Sequence, residues 1–181
     1  PYYTIWQKIR DVSVADMKET YDELGVVFDL WQGEAGVHDY IAPMVQEMEK
    51  NGIAQDSKGA VVIFVEEPED TKEIPPLILK KSDGAVMYGT TDLATIVERV
   101  KLYDPAKIVY IVDQRQALHF DQVFRAARKG KLVDEAVELT HAGFGTMNSP
   151  DGKPFKTRTG GVMPLADFIG MAKEKAQARL S

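Results

Sequence analysis

Cysteine is absent from the 181-residue chain. That excludes a disulfide scaffold, a thiolate metal site and a cysteine nucleophile. Histidine is scarce, with only His38, His119 and His141. No uninterrupted apolar run approaches the ~20 residues needed to span a bilayer, and no basic-then-apolar leader opens the chain. A cytoplasmic protein is expected. The chain begins at Pro1 rather than methionine, so a processed product or an excised piece is expected. What remains, 44% hydrophobic and 28% charged residues, is an ordinary globular composition.

The formal charge of −6 argues against nucleic acid as a partner, but it is unevenly spread. Residues 1–76 carry 16 acidic and 6 basic side chains, a net of −10; residues 77–181 carry 12 and 16, a net of +4. Only the second stretch has a sign suited to phosphates.

Ser13 and Asp16 read as a capping box before a helix showing Val14, Met17, Tyr21 and Leu24 and stopped by Gly25. A short strand is expected at Val26–Asp29, a turn at Gly33–Gly36 and a helix over 39–51 with Pro43 in its first turn or kinking it. Ala60–Val65 reads as a strand buried on both faces, and the proline-bearing acidic stretch Glu66–Pro76 as a linker or surface loop. Strands at Leu77–Lys80, Lys107–Val112 and Ala136–Thr140 alternate with helices at Thr91–Lys101, Gln116–Lys129 and from Pro164 onward. This alternation predicts an α/β fold, a parallel sheet flanked by helices.

The loop His141–Met163 joins Gly143, Gly145, Gly152, Gly160 and Gly161 to Lys153, Lys156 and Arg158 at the carboxyl end of a strand. A mobile phosphate clamp and a disordered surface loop are both compatible with that composition.

The loop text Asp151-Gly-Lys-Pro-Phe-Lys-Thr-Arg-Thr-Gly-Gly161 closely resembles the second signature loop of bacterial arginyl-tRNA synthetases, a divergent KMSKS loop. In the same order, Phe28-Asp29 with Gly33-Glu34, Asp83-Gly84 with Tyr88, Thr91-Asp92 and Ala94, Gln114, Gln116, His119 and Gln122, and His141 with Phe144-Gly145 are similar to further stretches of that family. The resemblance spans about residues 13–180. It implies a partial Rossmann-like class I synthetase catalytic fold. Residues 1–76 would be an insertion-like α/β segment, and residues 77–181 the second half of the catalytic domain with its signature loop at 141–163.

The implied reaction is arginine–tRNA ligation: ATP-dependent formation of arginyl-adenylate and transfer to tRNA. Glu34, Tyr88, Asp92 and Gln116 are implied at the arginine side chain. Two carboxylates, a hydroxyl and an amide suit a planar five-donor guanidinium, and lysine or citrulline could not reproduce those contacts. Taken singly, Glu34 equally reads as a solvated turn residue and Asp92 as an acid in the first turn of a helix. The resemblance places His119, Gln122, Phe144, Gly145 and Met147 at ATP. Lys153, Lys156 and Arg158 are implied to meet the phosphate charge that builds during adenylation, with Lys156 favoured over Lys153 for the main role. ATP, with Mg2+, arginine and tRNA are the implied ligands; no protein-bound metal and no membrane is expected.

None of the three histidines stands in a HIGH-type context, and no helical anticodon-binding stretch follows the last helix. The chain is therefore expected to be a fragment that alone neither completes adenylation nor grips tRNA. The alternative is a synthetase-derived, non-catalytic module that binds a nucleotide or a partner.

Overall fold

Among the described residues, hydrophobic spacing and glycine punctuation translate into ten regular elements. In chain order they are α1 (Tyr2–Glu23), α2 (His38–Lys50), β1 (Gln55–Ser57), β2 (Ala60–Ile63), β3 (Leu77–Lys80), α3 (Tyr88–Tyr103), β4 (Lys107–Asp113), α4 (Ala117–Lys129), β5 (Glu138–Phe144) and α5 (Leu165–Leu180). Single 3-10 turns occupy Glu34–Val37 and Gln114–Gln116. The computed structural model describes residues 2–145 and 164–180. The chain divides into two compact units, residues 1–31 with 147–181, and residues 32–146.

The first unit holds α1 and α5. Helix α1 runs straight through Ser13, so the expected capping box is helix interior rather than a start. Its end matches expectation. Gly25 adopts φ +67°, and the Gly25 and Val26 N–H groups donate to Asp22 and Tyr21 carbonyls at 3.0 and 2.9 Å. This is the glycine-dependent left-handed cap that satisfies terminal carbonyls. Val26–Asp29 forms no strand; Phe28 instead packs edge-on against Tyr21 and Trp31 at 5.0 and 5.4 Å between ring centres. Lys173 of α5 pairs with Glu23 of α1, and α5 opens directly after Pro164 as expected.

The second unit contains two sheets. β1–β2–β3 is antiparallel, and β4–β5 is parallel with Lys107 opposite Glu138 through Asp113 opposite Phe144. The parallel sheet is thus confined to the segment around α4, the helix that makes the crossover that parallel strands require. The stretches at 60–65 and 77–80 belong to the antiparallel sheet. Ala60–Val65 is buried on both faces only in part: Val62, Ile63 and Val65 are buried, while Phe64 is half-exposed. A tight turn explains the hairpin, since Lys58 and Gly59 both take positive φ, 55° and 80°, between Ser57 and Ala60.

Helices α2, α3 and α4 bury Met44, Val45, Met48, Leu93, Ile96, Phe120 and Val123 against Ile63, Leu79 and Ile108 in one core. This core draws residues from both sides of residue 76, where the net charge changes sign. Strand β5 extends to Phe144, so the loop expected from His141 starts after the strand; residues 146–163 lie outside the described residues.

One face of α4 straps down the acidic stretch. Gln122 Nε2 donates to the Pro75 carbonyl at 2.6 Å, Arg125 forks onto Asp70 at 2.6 and 2.9 Å, and Lys129 Nζ donates to the Phe64 carbonyl at 2.6 Å. Hydrogen bonds from Arg125, and then from the Glu67 N–H, hold the Asp70 carboxyl below its ordinary value of 3.8. A depressed carboxyl stabilises the folded state above that value and loses its contribution as pH falls below it. Arg125→Ala is accordingly expected to speed protease cleavage within residues 66–75 at pH 7. The difference between variant and parent should shrink as pH drops below 3.8; an unchanged cleavage rate at pH 7 would refute the strap.

Candidate functional site

A cleft of about 540 Å3 opens in the second unit, and three chain segments supply its walls. Glu34 heads the 3-10 turn after an extended Gly33. Helix α3 contributes Tyr88, Thr91, Asp92, Thr95 and Arg99, which at three- and four-residue intervals form one stripe. The third wall is Tyr110 and Val112 from β4, Gln116 from the 3-10 turn, and His119 and Phe120 from α4. Glu34, Tyr88, Asp92, Gln116 and His119, expected at substrate from the sequence, therefore line one cavity.

The amino-terminal turn of α3 is fixed from below. Thr90, fully buried, donates its hydroxyl to the Leu79 carbonyl at 2.6 Å. Gly89 is buried against Leu77, and a Cβ there would overlap that leucine. These contacts fix the helix end that carries Tyr88 and Asp92.

At the carboxyl end of β4, Asp113 accepts the Arg115 backbone N–H at 2.8 Å and pairs with its guanidinium at 2.7 and 2.9 Å. Those hydrogen bonds hold the Asp113 carboxyl down at about 2. The tight 3-10 turn that presents Gln116 results. A Cβ on Gly143, the β5 neighbour of this turn, would overlap the Gln114 side chain. Glycine leaves room there for the Gln114 side chain as placed.

His119 Nε2 lies 2.6 Å from Asp92 Oδ2, linking α4 to α3 across the cleft. Its ring stands edge-on to Phe120 at 5.2 Å, and Phe120 in turn stacks on His141 at 5.2 Å and packs on Tyr110 at 4.7 Å. Burial pushes the Tyr110 hydroxyl up to about 12, so it stays protonated. Among the described residues, Tyr110 Oη and His141 Nε2 are buried without a hydrogen-bond partner.

Gln122 lies outside the cleft lining and serves the strap on Pro75. Phe144, half-exposed, and Gly145 follow at the end of β5 and are also outside the lining. Met147, Lys153, Lys156 and Arg158 lie outside the described residues. Sequence reasoning missed Thr95, Arg99 and Tyr110. Continuing the helical stripe from Tyr88 and Asp92 finds the first two, and strand alternation from Ile108 finds the third. Among the described residues, no group of three or more acidic or histidine side chains is placed to hold a metal. No helix among them is long and apolar enough to cross a membrane.

Solved structures define the fold. An arginyl-tRNA synthetase from Plasmodium falciparum superposes with a TM-score of 0.79 at 22% identity, covering 98% of this chain and 28% of that one. One from Thermus thermophilus superposes with a TM-score of 0.70 at 17% identity, covering 96% and 34%. The fold is that of part of a class I aminoacyl-tRNA synthetase catalytic domain. The family is narrower still: the chain belongs to the class I (R) tRNA synthetases, whose catalytic-domain model matches residues 2–181. The arginine–tRNA ligase of Alkaliphilus oremlandii is 51% identical over 179 residues, and that of Francisella tularensis subsp. novicida 48% over 181. The chain spans 30% of the length of each of these relatives.

Proposed function

We propose that this chain supplies the arginine-selecting part of an arginine–tRNA ligase, which activates arginine with ATP and transfers it to tRNA. The observation that carries the reading is the convergence of Glu34, Tyr88, Asp92 and Gln116 on one cleft within a chain about half identical to such ligases. Carboxylates spaced around a cavity suit a cation whose charge is spread over a plane of donors. The Tyr88 ring and hydroxyl and the Gln116 amide add a face and further acceptors. Residues 1–76 would be the insertion-like segment and residues 77–181 the second half of the catalytic domain, acting in the cytoplasm.

ATP, with Mg2+ on its phosphates, is the second substrate, and Phe144, Gly145 and Met147 would frame its base. His119 and Gln122 share the helix that the resemblance sets beside the nucleotide, although in this structure they bond Asp92 and Pro75. In adenylation the arginine carboxylate attacks the α-phosphorus and pyrophosphate leaves. Lys153, Lys156 and Arg158 would meet the charge developing on the phosphate oxygens, which lowers the barrier without tightening ground-state binding.

The test is pyrophosphate exchange in a full-length ligase carrying this segment. Exchange is expected with arginine and not with lysine or citrulline; equal exchange with lysine would refute the reading. Lys156→Ala is expected to slow exchange about 10²-fold with little change in arginine binding, since its charge acts late. The 181-residue chain alone is expected to show no exchange and weak tRNA binding.

A further inference from the structure

We propose that His119 is a positioning residue for arginine selection: its Nε2–H holds Asp92 Oδ2 so that the carboxylate presents a fixed plane to the ligand. The proposal rests on the assignment of Asp92 to the guanidinium of arginine and goes beyond it in giving His119 a place on the amino-acid side of the site.

The 2.6 Å separation is that of a strong, charge-assisted hydrogen bond. Terminal carboxylate torsions are broad, so an aspartate left alone samples many orientations. Forked recognition of a guanidinium requires one plane, and it gains when the carboxylate is ordered before the ligand arrives. Both side chains line the cleft and are under a third exposed, at 29% for His119 and 28% for Asp92. A ligand can therefore still reach Asp92. Asp92 Oδ1 carries no hydrogen bond among the described residues and is the acceptor left for that ligand.

The imidazole is itself held. Its ring edge meets Phe120, which packs on the neighbouring His141 and Tyr110 of the parallel sheet. A rigid layer behind the histidine sets the direction of its N–H, and the N–H sets the carboxylate. The arrangement parallels the outer-shell partners that orient metal ligands, with a guanidinium in place of the metal.

A histidine that only filled space, or one that contacted ATP, would behave differently. In a full-length ligase carrying this segment, His119→Phe keeps a ring and removes the donor. It is expected to raise KM for arginine about tenfold or more, with KM for ATP within about twofold. His119→Gln restores an N–H donor and should recover part of the loss. In an Asp92→Asn background, His119→Phe should cost nothing further and recover part of the loss, because the amide is then free to turn its oxygen to the ligand. If the phenylalanine variant does not fold, His119→Gln and His119→Asn carry the measurement, each expected to raise the arginine KM a few-fold. A rise confined to ATP, no change in either KM, or full additivity with Asp92→Asn would overturn the proposal. An unchanged arginine KM in Asp92→Asn alone would instead overturn the assignment of Asp92.

Discussion

Asp92→Asn is expected to lower kcat/KM for arginine about 10³-fold in a full-length ligase, with KM for ATP nearly unchanged. Three effects add. The negative charge facing a guanidinium is lost, in a cleft where Asp92 is less than a third exposed and screening is weaker than in bulk water. One acceptor becomes an NH2 donor. His119 then decides which atom turns outward, because its N–H will hold the remaining amide oxygen where it now holds Oδ2 at 2.6 Å. The NH2 is left facing the ligand's own donors, an arrangement that repels rather than merely fails to attract. Glu34→Gln should cost less, about tenfold, because Glu34 is exposed at the head of its turn and water can substitute for it. Initial-rate pyrophosphate exchange with arginine varied at saturating ATP checks both values. Equal losses in the two variants would show that the cleft does not grade its carboxylates as described.

The sequence made some of these relations legible and hid others, for physical reasons. Helices α2 to α4 follow from apolar side chains at helical spacing, and Gly25 marks the end of α1 because only a left-handed residue closes that cap. The motif residues Tyr88, Asp92, Gln116 and His119 were visible as separate points along the chain. Their convergence was not, because it depends on how α3 and α4 pack over the strands. The same limit explains Gln122. Its spacing from His119 suggests a shared helix face and a shared ligand, yet its amide reaches Pro75 across 47 positions. Ser13 misleads in the opposite sense. A serine with an acid three residues later fits a cap locally, but the twenty-two residues of α1 continue through it. The pairing direction of β2 and β3 was equally closed to local reading, since an apolar run carries no sign of parallel or antiparallel partners.

Leu93→Ala is expected to destabilise the second unit by about 2–5 kcal/mol, the range for truncating a fully buried leucine. Helix α3 has two faces with different tasks. Tyr88, Asp92, Thr95 and Arg99 line the cleft, whereas Gly89, Thr90, Leu93, Ala94 and Ile96 are buried in the core. Leu93 follows Asp92 directly and is fully buried, so its packing holds the rotation of the helix that aims the carboxylate. A void there would loosen the same turn that Thr90 ties to Leu79. Leu102→Ala serves as a control in the same helix: Leu102 is 53% exposed, and its loss should change stability by no more than about 0.5 kcal/mol. Urea denaturation of the two variants, followed by calorimetric titration of arginine, separates the effects. Leu93→Ala should lower the midpoint clearly and weaken arginine binding even in protein that remains folded, because the helix face is less firmly held. If the two leucines cost the same, α3 is not anchored through its buried face, and Thr90 with the strand contacts alone must set the site.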